Sequence, residues 1–133
     1  HRWIFEMVEA WDSNGVLGFG SDNEDARGMN HPPRIAGAYF SAKVAVSEYL
    51  LKNKIQAGVL ILREIRPEYA IPVGVWQVRE GIREAMKQKP QIASEINMAL
   101  KIASAKTSIS KIEWIKNGNI INKIRQKTIS DYI

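Results

Sequence analysis

The stretch from Gly58 to Lys87, GVLILREIRPEYAIPVGVWQVREGIREAMK, places the tightest limits on how this chain can fold. Ala57-Gly58-Val59-Leu60-Ile61-Leu62 is an unbroken apolar run rich in branched side chains, which suits a strand covered on both faces better than a half-exposed one. The run stops at Arg63-Glu64-Ile65-Arg66. Pro67 and Pro72 then disfavour helix for the residues before them, and beyond Pro72 the apolar spacing turns helical. Val75, Val78, Ile82 and Ala85/Met86 recur at threes and fours, so one side of a helix can lie on the strand. Charge gathers where strand gives way to loop and helix, the place where open α/β sheets usually build their sites.

A chain of 133 residues suffices for one compact domain with a real core and is too short for two ordinary ones. No apolar run approaches the length that spans a bilayer and no signal-peptide pattern opens the sequence, so a cytoplasmic protein without membrane attachment is expected. There is no cysteine and there are only two histidines, His1 and His31, which leaves oxygen-bound ions such as Mg²⁺ as the metals to consider. The chain begins at His1, inside what reads as a strand and without an initiator Met; the expectation is a C-terminal piece of a longer polypeptide.

The net charge of +5 is uneven. Residues 1–30 hold six acids against Arg2 and Arg27, whereas the remainder carries seventeen basic residues against eight acidic. A basic body raises encounter rates with phosphate polyanions, and a Lys- and Ile-rich composition also accompanies proteins from hot environments.

In chain order, Arg2 to Trp11 reads as a strand, Asp12-Ser13-Asn14-Gly15 supplies the Asn-Gly pair of a tight hairpin, and Val16-Leu17-Gly18-Phe19 returns as its partner. From Gly20 to Pro33 the composition predicts an exposed polar loop. Asp22, Glu24 and Asp25 sit close together in it, either as a carboxylate cluster for Mg²⁺ or acid/base work, or as a solvated loop that caps a nearby helix. Pro32-Pro33 opens the longest helix, Arg34 to Lys52, with Ile35, Ala38/Tyr39, Ala42, Ala45/Val46 and Tyr49 along one side. That helix followed by the strand 57–65 resembles a crossover unit. Lys87-Gln88-Lys89-Pro90 breaks the next helix, and Gln91 to Lys106 starts another with Ile92, Ile96, Ala99/Leu100 and Ala103 on one side. Residues 107–125 suit a helix by the spacing of Ile109, Ile112 and Ile115, although Asn117-Gly118-Asn119 would equally make a hairpin.

The sequence contains no Gly-rich phosphate loop and no arguable Ser-His-acid arrangement. Guanidinium groups are the better candidates for phosphate: Arg79 and Arg83 share a helix face, Arg63 and Arg66 lie just past the apolar strand, and Arg34 stands at a helix start that attracts anions. The competing account is local pairing with Glu64, Glu68, Glu80 and Glu84.

The sharpest signal is the C-terminal QKTISDYI. Gln126, an aliphatic Ile129 three residues later and an aromatic Tyr132 three after that match the PIP box, which binds the DNA sliding clamp (PCNA). A single 3₁₀ turn brings residues three apart onto one side, so Ile129 and Tyr132 can enter one apolar pocket while the Gln126 amide finds a polar one. Standard motifs end in two aromatics, and here the second is Ile133.

The stretches SDNEDARG, PPRIAGAYFSAKVAVSEYL and LREIRPEYAIPVGVWQVREGIREA, followed by QKTISDYI, resemble the C-terminal part of archaeal Nre-type DNA repair proteins. The resemblance implies a role in repairing DNA damage and clamp binding through Gln126, Ile129, Tyr132 and, imperfectly, Ile133; family members carry a zinc-binding segment near their N-terminus, outside this chain. It transfers no catalytic residue. The expected architecture is α/β or α+β: one compact domain over residues 1–125, with a small sheet, an N-terminal hairpin and a buried central strand packed by three to four helices, and a flexible clamp-binding tail over residues 126–133. The expected function is a DNA repair factor recruited to the clamp, its basic domain contacting DNA or nucleotide through Arg34, Arg63, Arg66, Arg79 and Arg83. The alternative is a Mg-dependent phosphohydrolase or nuclease built on Asp22, Glu24 and Asp25.

Overall fold

A computed structural model describes residues 3–13, 15–29, 32–65 and 75–119. Strands β1 (Ile4–Ser13) and β2 (Val16–Asp25) form the hairpin, helix α1 (Ala36–Asn53) follows, and β3 (Gly58–Ile65) returns to the sheet. Helices α2 (Val75–Lys87), α3 (Ile96–Ser104) and α4 (Lys111–Asn117) complete the described chain. The sheet has the order β2-β1-β3, with β1 antiparallel to β2 and parallel to β3. It is a small α+β domain with helices on both faces of a mixed sheet.

The hairpin forms where the Asn-Gly pair requires it. Ser13 pairs with Val16, leaving two residues for the turn, and Gly15 takes a positive φ of 82°, which costs a glycine little. The return strand is longer than expected. Gly20–Asp25 continues β2 instead of opening a loop, and Phe5 pairs with Glu24 and Met7 with Asp22.

Alternation along the strands sorts the core into two layers. Phe5 and Met7 of β1 meet Tyr39, Ala42 and Val46 of α1 and Val78 of α2 on one face, joined by Val59 and Ile61 of β3. Val8 and Ala10 turn the other way onto Ile109 and Trp114, with Phe19, Leu60 and Leu62 beside them, and Leu100 and Ile115 close the α3–α4 side. The apolar run of β3 therefore feeds both layers, as its lack of alternation implies. Among the described residues it is nevertheless an edge strand: β1 is the central one, and the β3 residues after Gly58 are half-buried.

Helix α1 buries the expected face except at Tyr49, which is exposed. Its end is a left-handed cap. Lys54 takes φ 53° and ψ 44°, and the N–H groups of Lys54 and Ile55 donate to the carbonyls of Leu51 and Leu50. The third helix is shorter than its periodicity predicts. Gln91–Glu95 is not helical, Ile92 is 93% exposed, and the buried face runs through Ile96, Leu100 and Ser104 while Ala99 and Ala103 stay exposed. Residues 111–117 are helical, in line with the helix reading. No helix among the described residues is long and apolar enough to cross a membrane.

Candidate functional site

The acidic residues of β2 lie on alternate faces, which decides what each can do. Asp22 and Glu24 point into the layer beneath α1, at 0% and 6% exposure, and Asp25 points the opposite way. Asp22 accepts the backbone N–H groups of Arg34 at 2.8 Å and Ile35 at 2.6 Å. These are orphan donors at the start of α1, whose own N-cap residue, Ile35, has no capping side chain. The anion drawn to this helix start is thus the protein's own carboxylate.

Glu24 is the hub of the same layer. It accepts the Tyr39 hydroxyl at 2.7 Å, the Trp3 indole N–H at 3.3 Å and Lys43 Nζ at 2.8 Å. Burial by itself pushes its carboxyl up, but the hydrogen bonds from Lys43, Tyr39 and Trp3 together outweigh burial and hold it below its ordinary value. The Tyr39 phenol moves the other way, raised by burial first and then by the Glu24 carboxylate, so it stays a donor at every working pH. Asp25, on the outer face, holds Arg27 through a bidentate contact with Nε and Nη2 and accepts its N–H at 2.8 Å. The carboxylate cluster expected for Mg²⁺ is thus divided between two faces and engaged on each. Among the described residues no group of three or more such side chains is placed to hold a metal ion.

The arginines are dispersed as well. Arg63 of β3 meets Glu9 of β1 at 2.6 Å, across the parallel pair where the two residues are registered, not its sequence neighbour Glu64. Arg83 grips Glu48 of α1 through Nε and Nη2 at 3.1 and 2.9 Å and Glu80 of its own helix at 2.6 Å, fastening α2 to α1. That bidentate contact raises the Arg83 pKa further and lowers that of Glu48. The Nε of Arg79 is buried and has no hydrogen-bond partner. Arg34 is exposed just before the start of α1, and the twelve residues of helical rise from Ala36 to Glu48 span roughly 18 Å. Arg34 and Arg83 therefore do not share a phosphate pocket. Arg66 and the tail residues Gln126, Ile129, Tyr132 and Ile133 lie outside the described residues.

One constellation escaped the sequence reading. Ser110 caps α4 by accepting the Glu113 N–H at 3.3 Å, and Ser110-Lys111-Ile112-Glu113 has the spacing of a capping box. Upstream, Thr107 Oγ1 accepts the Trp114 indole N–H at 3.1 Å, and the Glu64 carboxylate takes the N–H and hydroxyl of Ser108. The capping box was the available signal. These contacts tie the 104–110 turn to the end of β3 and seat Trp114 against β1.

Comparison with known proteins adds what the geometry alone does not. The family described as the C-terminal part of archaeal Nre matches residues 24–132. A DNA repair protein NreA of Archaeoglobus fulgidus is 37% identical over 118 residues, covering 85% of this chain and 30% of the relative. A DNA repair protein NreB of the same organism is 28% identical over 137 residues, 98% of this chain and 35% of the relative. NreA of Haloferax volcanii is 35% identical over 95 residues, 65% of this chain and 23% of the relative. The chain spans about a third of the length of the first two curated relatives it matches. No solved structure matches it. With the family match running over most of its length, from the second half of β2 to one residue short of its C-terminus, this chain belongs to the archaeal Nre family and corresponds to that family's C-terminal part.

Proposed function

We propose that this chain is the C-terminal part of a DNA repair protein and that it connects that protein to the DNA sliding clamp through residues 126–133. The repair role is supported by three relatives named as DNA repair proteins. The clamp connection is carried by one observation, the spacing of Gln126, Ile129 and Tyr132 at the C-terminal end of the chain. Two apolar side chains three apart on a 3₁₀ turn form a plug for one hydrophobic pocket, and Gln126 adds a directional amide. Among the described residues the buried carboxylates already have partners, Asp22 with the N–H groups at the start of α1, Glu24 with Tyr39 and Lys43, Glu6 with the Asn119 N–H and Glu9 with Arg63, which favours a recruiting module over a hydrolase.

The basic body gives a second, weaker contact. Arg34, Arg63, Arg66, Arg79 and Arg83 are proposed as contributors to an electrostatic approach to DNA phosphates. Clamp capture by the chain and by a version ending at Arg125 tests the main proposal. Loss of capture on truncation, with an unchanged far-UV spectrum, is the expected result; undiminished capture refutes it.

A further inference from the structure

The two edges of the sheet are unlike. The second half of β2 runs into the turn held by Asp25 and Arg27, whose exposed ion pair puts charge at that end of the edge. The first five residues of β3, Gly58-Val59-Leu60-Ile61-Leu62, contain no charge and no proline. One side of β3 pairs with β1, and among the described residues no strand takes the other. An apolar edge of this kind is a template for another strand, and natural proteins blunt or cover such edges.

The helices stand back from β3 along its second half, residues 61–65. On the α2 side a cleft of about 440 Å³ is bordered by Ile61, Arg63, Gln77, Gly81 and Ala85. On the α3 side a cleft of about 660 Å³ is bordered by Gln91, Ala93, Ala99, Ala103 and Lys106. Both reach Leu62 and Glu64. Gly81, Ala85, Ala99 and Ala103, which border the clefts, are small and exposed, and a Cβ on Gly81 would meet nothing within 4 Å. A strand laid along β3 would send successive side chains alternately into the two clefts.

We propose that the outer edge of β3 receives an extended segment of alternating apolar side chains from the part of the Nre polypeptide outside this chain. The length of the relatives selects that occupant. The chain accounts for 30% and 35% of two of them, so most of each polypeptide remains to be packed against or beside this domain. Gly81, Ala85, Ala99 and Ala103 leave room in the two clefts for the side chains of a docked segment, and an uncovered GVLIL edge would invite self-association. This inference is independent of the clamp reading, since it involves neither the tail nor its partner.

Hydrogen exchange read by mass spectrometry tests it. The chain is measured alone over a concentration series, then mixed with the part of Archaeoglobus fulgidus NreA that lies outside the matched region. The β3 amides that do not pair with β1 are expected to exchange quickly in the chain alone and about tenfold slower in the mixture. Ala85→Glu combined with Ala103→Glu, both at exposed positions, is expected to remove that protection without changing exchange elsewhere. Protection that grows with the concentration of the chain alone would assign the edge to a second copy and overturn the proposal. Protection already complete in the dilute chain, or absent from the mixture, would overturn it equally.

Discussion

The Tyr39 hydroxyl of α1 donates to Glu24 Oε1 of β2 across 2.7 Å, inside a buried layer, although composition puts Glu24 in an exposed loop. This bond makes an acidic strand compatible with a buried face. The carboxylate remains charged there because Lys43 and Trp3 complete its shell.

Glu24→Ala should destabilise the domain by about 2–4 kcal/mol, because it strands the Tyr39 hydroxyl and leaves Lys43 without its partner. Tyr39→Phe should cost less, about 1–2 kcal/mol, since the charge pair survives. The pH dependence follows from the lowered pKa of Glu24. A carboxylate whose folded value lies below its ordinary 4.5 stabilises the fold fully above that pH, and the contribution is lost as pH falls through the lowered value. Denaturant melts should therefore show wild type losing stability below about pH 4.5 more steeply than Glu24→Gln. Parallel acid profiles for the two proteins would contradict the assignment.

Trp114 is fully buried between α4 and β1 and gives its indole N–H to Thr107. Trp114→Phe should cost about 1–3 kcal/mol through the unfilled volume and the lost bond, and Ser110→Ala about 1 kcal/mol through the lost cap. Chemical denaturation midpoints decide both, and the near-ultraviolet signal of Trp114 should disappear in the first variant.

Gly18 and Gly20 lie under the indole of Trp11, and a Cβ on Gly20 would approach Ile35 Cγ2 to 2.9 Å and Trp11 to 3.3 Å. Gly18→Ala should displace the Trp11 ring, because a Cβ there would collide with the indole. A red-shifted tryptophan emission with a stability loss of about 1 kcal/mol is expected. An unchanged spectrum would mean that the ring is not held there.

The Arg63–Glu9 and Arg83–Glu48 pairs should respond differently to mutation. Arg63→Ala leaves Glu9, only 9% exposed, without its counter-ion and should cost about 1–3 kcal/mol, a figure reduced for the partial exposure of Arg63 itself. Arg83 sits among exposed acids, so Arg83→Ala should change stability little. Comparable losses at both positions would show that the α1–α2 contact depends on charge more than the packing of Val46, Val78 and Ile82 indicates.

The sequence carried the hairpin, α1, α2 and the double-sided burial of β3 in its local chemistry: Asn14-Gly15, the run of small and apolar residues from Ile35 to Val46, the prolines at 67 and 72, and the unalternating GVLIL. It hid the length of β2, because Ser21-Asp22-Asn23-Glu24-Asp25 is turn-like in composition and its burial depends on donors supplied from α1. The rank of the strands was hidden for a related reason. An apolar run reports coverage by helices above and below, not whether a neighbour lies on each side, and so β3 looked central. The shortening of α3 reflects Glu95, whose extended backbone ends the periodicity that Ile92 had suggested.

Titration of an archaeal sliding clamp with the chain and two tail variants tests the central claim most directly. Tyr132→Ala should reduce affinity at least about a hundredfold by removing the apolar plug, whereas Ile133→Phe, which restores the second aromatic, should tighten binding. Equal affinity for all three proteins would contradict the account.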